Sequence, residues 1–106
     1  MGSIEAVLRE ELQRLRVAEK SYQRAMKGLP KGSIQHKRIK GRPYPYLAFR
    51  KAGKVAYRYL GRLSQDDLKA FRNGIEQRVR YERLCAEVRK SQRRLQRMIR
   101  GTRRAI

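Results

Sequence analysis

The run Tyr44-Pro45-Tyr46-Leu47-Ala48-Phe49-Arg50-Lys51-Ala52-Gly53-Lys54-Val55-Ala56-Tyr57-Arg58-Tyr59-Leu60-Gly61 decides the fold. On either side of Gly53, aromatic and β-branched residues alternate with small and charged ones, the pattern of two strands joined by a tight turn. Strands are expected at about 44–50 and 54–60, with Lys51-Ala52-Gly53 as a three-residue hairpin loop and Gly53 in its left-handed position. Pro43 and Pro45 confine the beginning of the first of these strands to an edge or irregular position, because proline has no N–H for a ladder. Upstream, Ser33 to Lys40 predicts another strand, turned back by Lys40-Gly41-Arg42. The three make an antiparallel meander over residues 31–62.

Loop length then sorts the faces. A three-residue loop pairs Arg50 with Lys54, which puts Leu47, Phe49, Val55, Tyr57 and Tyr59 together on a side that can pack against a helix. The opposite side carries Tyr44, Tyr46, Ala48, Arg50, Lys54, Ala56, Arg58 and Leu60, rings among cations. A two-residue loop would shift the register and regroup both faces.

Helices are expected on both flanks. Ile4, Leu8, Leu12, Leu15, Ala18, Tyr22, Met26 and Leu29 recur in steps of three or four, so residues 4–29 read as a helix, with Ser3 as N-cap and Gly28 and Pro30 as the stop. Downstream, Ser64 with Asp67 three residues on is a capping box, and Leu63 with Leu68 forms a staple around it. The helix it starts runs through Leu68, Phe71, Ile75, Val79, Leu84, Val88, Leu95 and Met98 to about residue 100, where Gly101 can end it before a basic tail, 101–106. Gly74 and a slip of the stripe between Arg78 and Tyr81 predict a bend or a change of packing partner. The fold class is therefore α+β: an N-terminal helix, a three-stranded antiparallel meander and a long C-terminal helix in one domain, 1–106. The far half of the long helix needs a partner, either the first helix folded back as an antiparallel coiled coil or another chain.

Charge speaks to function. The 106 residues hold 29 Lys and Arg against 9 Asp and Glu, a formal net charge of +20. A compact chain this cationic repels itself, so a polyanion is the expected partner. The charge is also segregated. Residues 20–65 hold 13 basic side chains and no acidic one, and after Glu87 come Arg89, Lys90, Arg93, Arg94, Arg97, Arg100, Arg103 and Arg104, again with no acid. A helix that is only soluble usually interleaves Glu with such cations. Guanidinium groups, moreover, fork onto phosphate and guanine edges.

These features nominate a nucleic-acid-binding set. Lys37, Arg38, Lys40 and Arg42 around the first turn are expected on phosphates. On the sheet face the candidates are Arg50, Lys54 and Arg58, with Tyr44 and Tyr46 either exposed there or packed on a helix. On the long helix they are Lys90, Arg94 and Arg97, in phase with Arg83. Catalytic chemistry is not expected. One histidine (His36) and one cysteine (Cys85) cannot assemble a zinc set, no Walker-type loop occurs, and Asp66 and Asp67 are explained by the cap. No metal or cofactor is expected. Neither a signal peptide at Met1-Gly2-Ser3-Ile4-Glu5 nor a membrane-spanning run is read, and with no disulfide pair possible the expected location is cytoplasmic, or nucleoid-associated for a DNA binder.

Two resemblances attach to the middle segment. Lys31-Gly32-Ser33-Ile34, Tyr46-Leu47-Ala48-Phe49-Arg50 and Gly53-Lys54-Val55-Ala56-Tyr57-Arg58-Tyr59-Leu60-Gly61 resemble a small uncharacterised prokaryotic family with a KGSI opening, a GKV…KY[IL]G strand and a long charged helix. Arg58 stands where that family has lysine, and the likeness would extend over most of residues 31–100. The meander followed by a helix is also similar to the arm-binding domain of tyrosine recombinases and phage integrases, which lay a three-stranded sheet in the DNA major groove. That second likeness implies Arg50, Lys54 and Arg58 on DNA, and an accessory role in a phage or mobile element. The recombinase catalytic domain is absent, so Tyr57 and Tyr59 inherit no nucleophilic role.

The functional expectation is a non-catalytic nucleic-acid-binding protein, duplex DNA ahead of RNA, using the basic aromatic sheet face and the Arg-rich helix. The alternative is an RNA-binding ribonucleoprotein subunit, or a coiled-coil adaptor for an acidic protein partner. A homodimer or a coiled-coil partner through the long helix is the protein–protein expectation.

Overall fold

Two tight turns set the geometry of the middle segment. In the computed structural model, which describes residues 3–104, Lys40 (φ +52°) and Gly41 (φ +81°) form the first turn, and Ala52 (φ +51°) and Gly53 (φ +78°) the second. Positive φ at both central residues is what two-residue hairpin turns of the I′ kind require. An alanine is an uncommon choice there, since its Cβ makes the left-handed conformation cost about 1 kcal/mol. The strands are β1 (Ser33–Ile39), β2 (Arg42–Lys51) and β3 (Lys54–Tyr59), in the order β1-β2-β3 and antiparallel throughout.

The expected three-residue loop is therefore corrected. Lys51 pairs with Lys54, Arg50 with Val55, Ala48 with Tyr57 and Tyr46 with Tyr59. The shift of one residue moves Val55, Tyr57 and Tyr59 off the side of Leu47 and Phe49 and onto the side of Tyr44, Tyr46 and Arg50. Lys54 and Arg58 move the other way, alongside Leu47 and Phe49.

Pro43 and Pro45 lie in the central strand, opposite Arg38 and His36. Neither breaks the sheet. In an antiparallel strand the N–H and C=O of one residue point to the same neighbour. The carbonyl of Pro45 accepts from Leu60 N–H at 2.9 Å, at the end of β3. Both ring nitrogens thus point where β3 is ending, and the carbonyl of Leu60, which a donor at position 45 would meet, accepts instead from Leu63 N–H at 3.1 Å.

The helices are α1 (Ile4–Met26) and α2 (Gln65–Arg104). Ser3 caps α1, its Oγ accepting from Ala6 N–H at 3.1 Å, and Ser64 caps α2, its Oγ accepting from Asp67 N–H at 3.0 Å. The first helix ends three residues sooner than expected, with Lys27 as C-cap and Gly28 at φ +84°. The second runs through Gly101 to Arg104, so the tail is helical that far; Ala105 and Ile106 lie outside the described residues, as do Met1 and Gly2.

The chain divides into two compact units, residues 28–79 and the pairing of residues up to Lys27 with those from Arg80 onward. In the first unit Leu47 and Leu60, the latter only 3% exposed, are buried, with Phe49, Phe71 and Ile75 half-buried around them, while the buried Ala48 is on the other side of the sheet, paired with Tyr57. Leu47, Phe49, Pro30 and Phe71 line one cleft, and His36, Pro43, Pro45, Leu68 and Arg72 line another, so this side of the sheet is turned to α2. Gly74 has a packing role: Pro30 lies so close that a Cβ there would come within 2.8 Å of its ring. One turn later Arg78 donates from Nη1 to the carbonyl of Leu29 at 3.0 Å, anchoring the connection that follows α1.

The second unit is an antiparallel helical pair. Along α1, Glu5, Leu8, Leu12, Leu15, Glu19, Tyr22 and Met26 are buried or half-buried, and so are Tyr81, Cys85, Val88, Gln92, Leu95, Ile99 and Thr102 along α2. Both sets advance by alternating steps of three and four, the heptad seam of a coiled coil. Val79 and Met98, expected on the apolar stripe, are exposed; Tyr81 and the buried Cys85 and Ile99 take their place. The ring of Tyr22 meets that of Tyr81 with centroids 6.0 Å apart. Glu19 binds Arg89 through one carboxylate oxygen and accepts from Gln92 at 3.1 Å through the other. Glu5 accepts from Arg103 and from its own-helix neighbour Arg9.

These clasps are sensitive to acid. The hydrogen bonds from Arg89 and then Gln92 hold the Glu19 carboxyl below the ordinary carboxylate range, and those from Arg9 and Arg103 do the same for Glu5. A depressed folded-state pKa adds stability that is complete above the unfolded value, near ~4.3, and is lost as pH falls through the folded one. The expected result is a fall in the melting temperature of the helical pair as pH drops from about 5 toward 3, with a shallower fall in Glu19→Gln. Equal slopes in thermal melts followed by circular dichroism would refute the clasp.

Candidate nucleic-acid interface

One side of the sheet is open and carries rings. By the register it bears Gln35 and Lys37 on β1, Arg42, Tyr44, Tyr46 and Arg50 on β2, and Val55, Tyr57 and Tyr59 on β3. Tyr57 is 48% and Tyr59 44% exposed, whereas Tyr44 and Tyr46 are half-buried. Three of the four rings are neighbours. Tyr59 lies 5.2 Å from Tyr46 and 6.4 Å from Tyr44, centroid to centroid, in tilted arrangements. The ring of Tyr59 also covers the bare backbone of Gly61, where a Cβ would run into it.

A cation sits among these rings. The Nζ of Lys37 is 3.5 Å from the centroid of Tyr57 and 5.2 Å from that of Tyr46. An ammonium over a ring face is attracted by the ring quadrupole, by about 0.5–1 kcal/mol at an exposed site. The contact holds Lys37 toward the middle of the face, with Arg42 near one end of β2 and Arg50 near the other.

The remaining candidates distribute differently. Arg38, Lys54 and Arg58 are on the side turned to α2, where Arg58 lines the cleft with Leu47, Phe49 and Phe71. Lys40 is in the first turn. Tyr44 and Tyr46 are on the side of the sheet opposite Leu47 and Phe49. Tyr57 and Tyr59 belong to the open face, and sequence reasoning missed them by one residue of loop length; the signal that could have found them is Ala52-Gly53 flanked by two lysines, readable as a two-residue turn.

Lys90, Arg94 and Arg97 are exposed on α2, as is Arg83. At about 100° per residue all four fall within about 60° of arc on the side of the helix opposite the seam. Of the eight basic residues after Glu87, Arg89 and Arg103 are taken up by the acids of α1. Lys90, Arg94 and Arg97 are not in those ion pairs.

Cys85, 2% exposed in the seam, has its thiol pushed up by burial, which suits packing and not reactivity. Among the described residues no group of three or more His, Cys, Asp or Glu could hold a metal ion, and no helix is long and apolar enough to cross a membrane.

No curated protein and no solved structure matches the chain. One family does, and its match begins in α1, takes in the whole sheet and stops in the first turns of α2. Residues 4–70, more than half of the sequence, match the family described as a domain of unknown function, DUF6788, and the chain belongs to that family.

Proposed function

We propose that this protein binds nucleic acid, duplex DNA ahead of RNA, and acts by binding, not by catalysis. The observation that carries this reading is the open face of the sheet: four tyrosines with Lys37, Arg42 and Arg50, inside a stretch of sequence, residues 20–65, that has no acid. Phosphates are held by the cations, and the exposed cations of α2 add to them. Size favours a duplex. Three strands at about 4.8 Å spacing span about 10 Å, which fits a major groove about 12 Å wide. The likeness to integrase arm-binding domains points the same way. The adaptor alternative needs the apolar side of α2 to be open, and α1 occupies that side beyond Arg80.

The test is a titration of labelled duplex DNA, duplex RNA and single strands over a salt series. Five to nine phosphate contacts would make log K fall against log salt with a slope of about −4 to −8. Duplex DNA is expected to bind most tightly. Absence of binding at low salt would overturn the proposal, and a preference for RNA or single strands would move it to the alternative substrate.

A further inference from the structure

The two cationic surfaces belong to different compact units: the sheet face to residues 28–79, the α2 stripe to the helical pair. Resting on the nucleic-acid reading above, we infer that each surface holds its own segment of duplex DNA, so that one protein molecule joins two segments. Three observations carry the inference. The α2 stripe is exposed at Lys90, Arg94, Arg97 and Arg104, beyond the exposed Glu87, which shares its arc beside Arg83. At 1.5 Å per residue it extends about 20 Å, matching about six base pairs of duplex.

The seam makes the stripe a separate surface. Glu5 and Glu19 spend their charge on Arg103 and Arg89, beside the seam, and so none of it reaches the stripe on the opposite side of α2. The acids of α1 and the cations of the stripe are thus kept apart by the heptad phase itself. The sheet face, for its part, is acid-free in sequence and has its own cations and rings. Neither surface needs the other to complete a phosphate-binding set. Two such sets on one chain bind two duplexes wherever duplex ends or distant segments are available, by the logic of bivalency.

The experiment uses the full chain, a biotinylated duplex on beads and a fluorescent duplex in solution. The wild type is expected to capture the fluorescent duplex on the beads, with capture rising and then falling as excess protein coats both duplexes separately. Lys90→Glu/Arg94→Glu/Arg97→Glu should still bind a single duplex through the sheet face, within about tenfold of wild type and with the salt slope of that face unchanged, because its phosphate contacts are intact. Its capture should fall more than tenfold even at concentrations that saturate the single duplex. Helix content by circular dichroism keeps a folding failure from imitating that result, and Lys90→Gln/Arg94→Gln/Arg97→Gln provides a second, milder variant. Capture by either variant at wild-type level, at matched saturation, overturns the inference, since bridging would then come from self-association. Single-duplex binding by the wild type without capture also overturns it while leaving the nucleic-acid reading intact. Failure to bind any duplex overturns that reading instead.

Discussion

Gly32→Ala is expected to destabilise the sheet unit by about 3–5 kcal/mol, most of what a small domain has. Gly32 adopts φ +122°, a conformation that L side chains rarely take, and there a Cβ would run into the carbonyl oxygen of Ala48. It would also lie 3.1 Å from Leu47 Cδ1 and 3.2 Å from Phe49 Cβ. The conformational strain alone is of order 1–3 kcal/mol. The overlap adds to it because the obstacle is backbone: Ala48 is in the central strand, paired with Ser33 on one side and Tyr57 on the other, and its carbonyl cannot yield without opening a ladder. Urea denaturation followed by tyrosine fluorescence would register the change, since four of the six tyrosines are on the sheet. An unchanged midpoint would contradict this account of how the chain enters β1.

Lys37→Glu/Arg50→Glu is expected to weaken duplex binding about 100-fold at 0.1 M salt and to make the salt slope shallower by about 2. Each phosphate contact is worth nearly tenfold at 0.1 M relative to 1 M, and two contacts are lost with their charge reversed. The control has the same net charge. Lys54→Glu/Arg58→Glu alters the side of the sheet turned to α2, and its loss should stay near tenfold, the share owed to the overall field. Equal losses in the two double variants would mean that binding follows net charge and that the open face has no special part.

That comparison turns on the feature hardest to read from the residues alone. Local signals with a dedicated chemistry were legible: the Ser3 and Ser64 caps, the glycine after α1 and the order of the five elements all follow from propensity and capping. The two faces of the sheet were not, because they depend on one residue of loop length. Ala52 in a left-handed conformation has none of the compositional signature of the Asn-Gly or Asp-Gly turns that usually mark such hairpins. As a result Tyr57 and Tyr59 were expected in the core, and Lys54 and Arg58 on the binding side.

The seam of α2 escaped for a different reason. Its heptad positions include Gly74, Arg78, Gln92 and Thr102, which a search for apolar residues passes over. Each has a structural use. Gly74 makes room for Pro30, Arg78 binds the carbonyl of Leu29, and Gln92 serves Glu19. Polar seam positions contribute little apolar burial but penalise any other alignment of the helices, because a displaced Glu19 would face the seam without its partners. The expected slip between Arg78 and Tyr81 is where α2 passes from the sheet unit to the helical pair, a change of partner without any break in the helix.

The position of Lys37 bears on how fast and at what entropic cost the open face can work. A lysine free in solvent surrenders up to ~2 kcal/mol of rotamer entropy when it is immobilised, and a flexible cationic surface meets that loss each time it takes hold of a ligand. Here the ammonium lies over the rings of Tyr57 and Tyr46, an attraction of about 0.5–1 kcal/mol that offsets part of that loss. For the proposed nucleic-acid ligand, the phosphate would meet a charge that the two rings favour in one place. Association then needs little rearrangement, its rate follows the electrostatic encounter, and differences in affinity between ligands appear chiefly in how long each one stays.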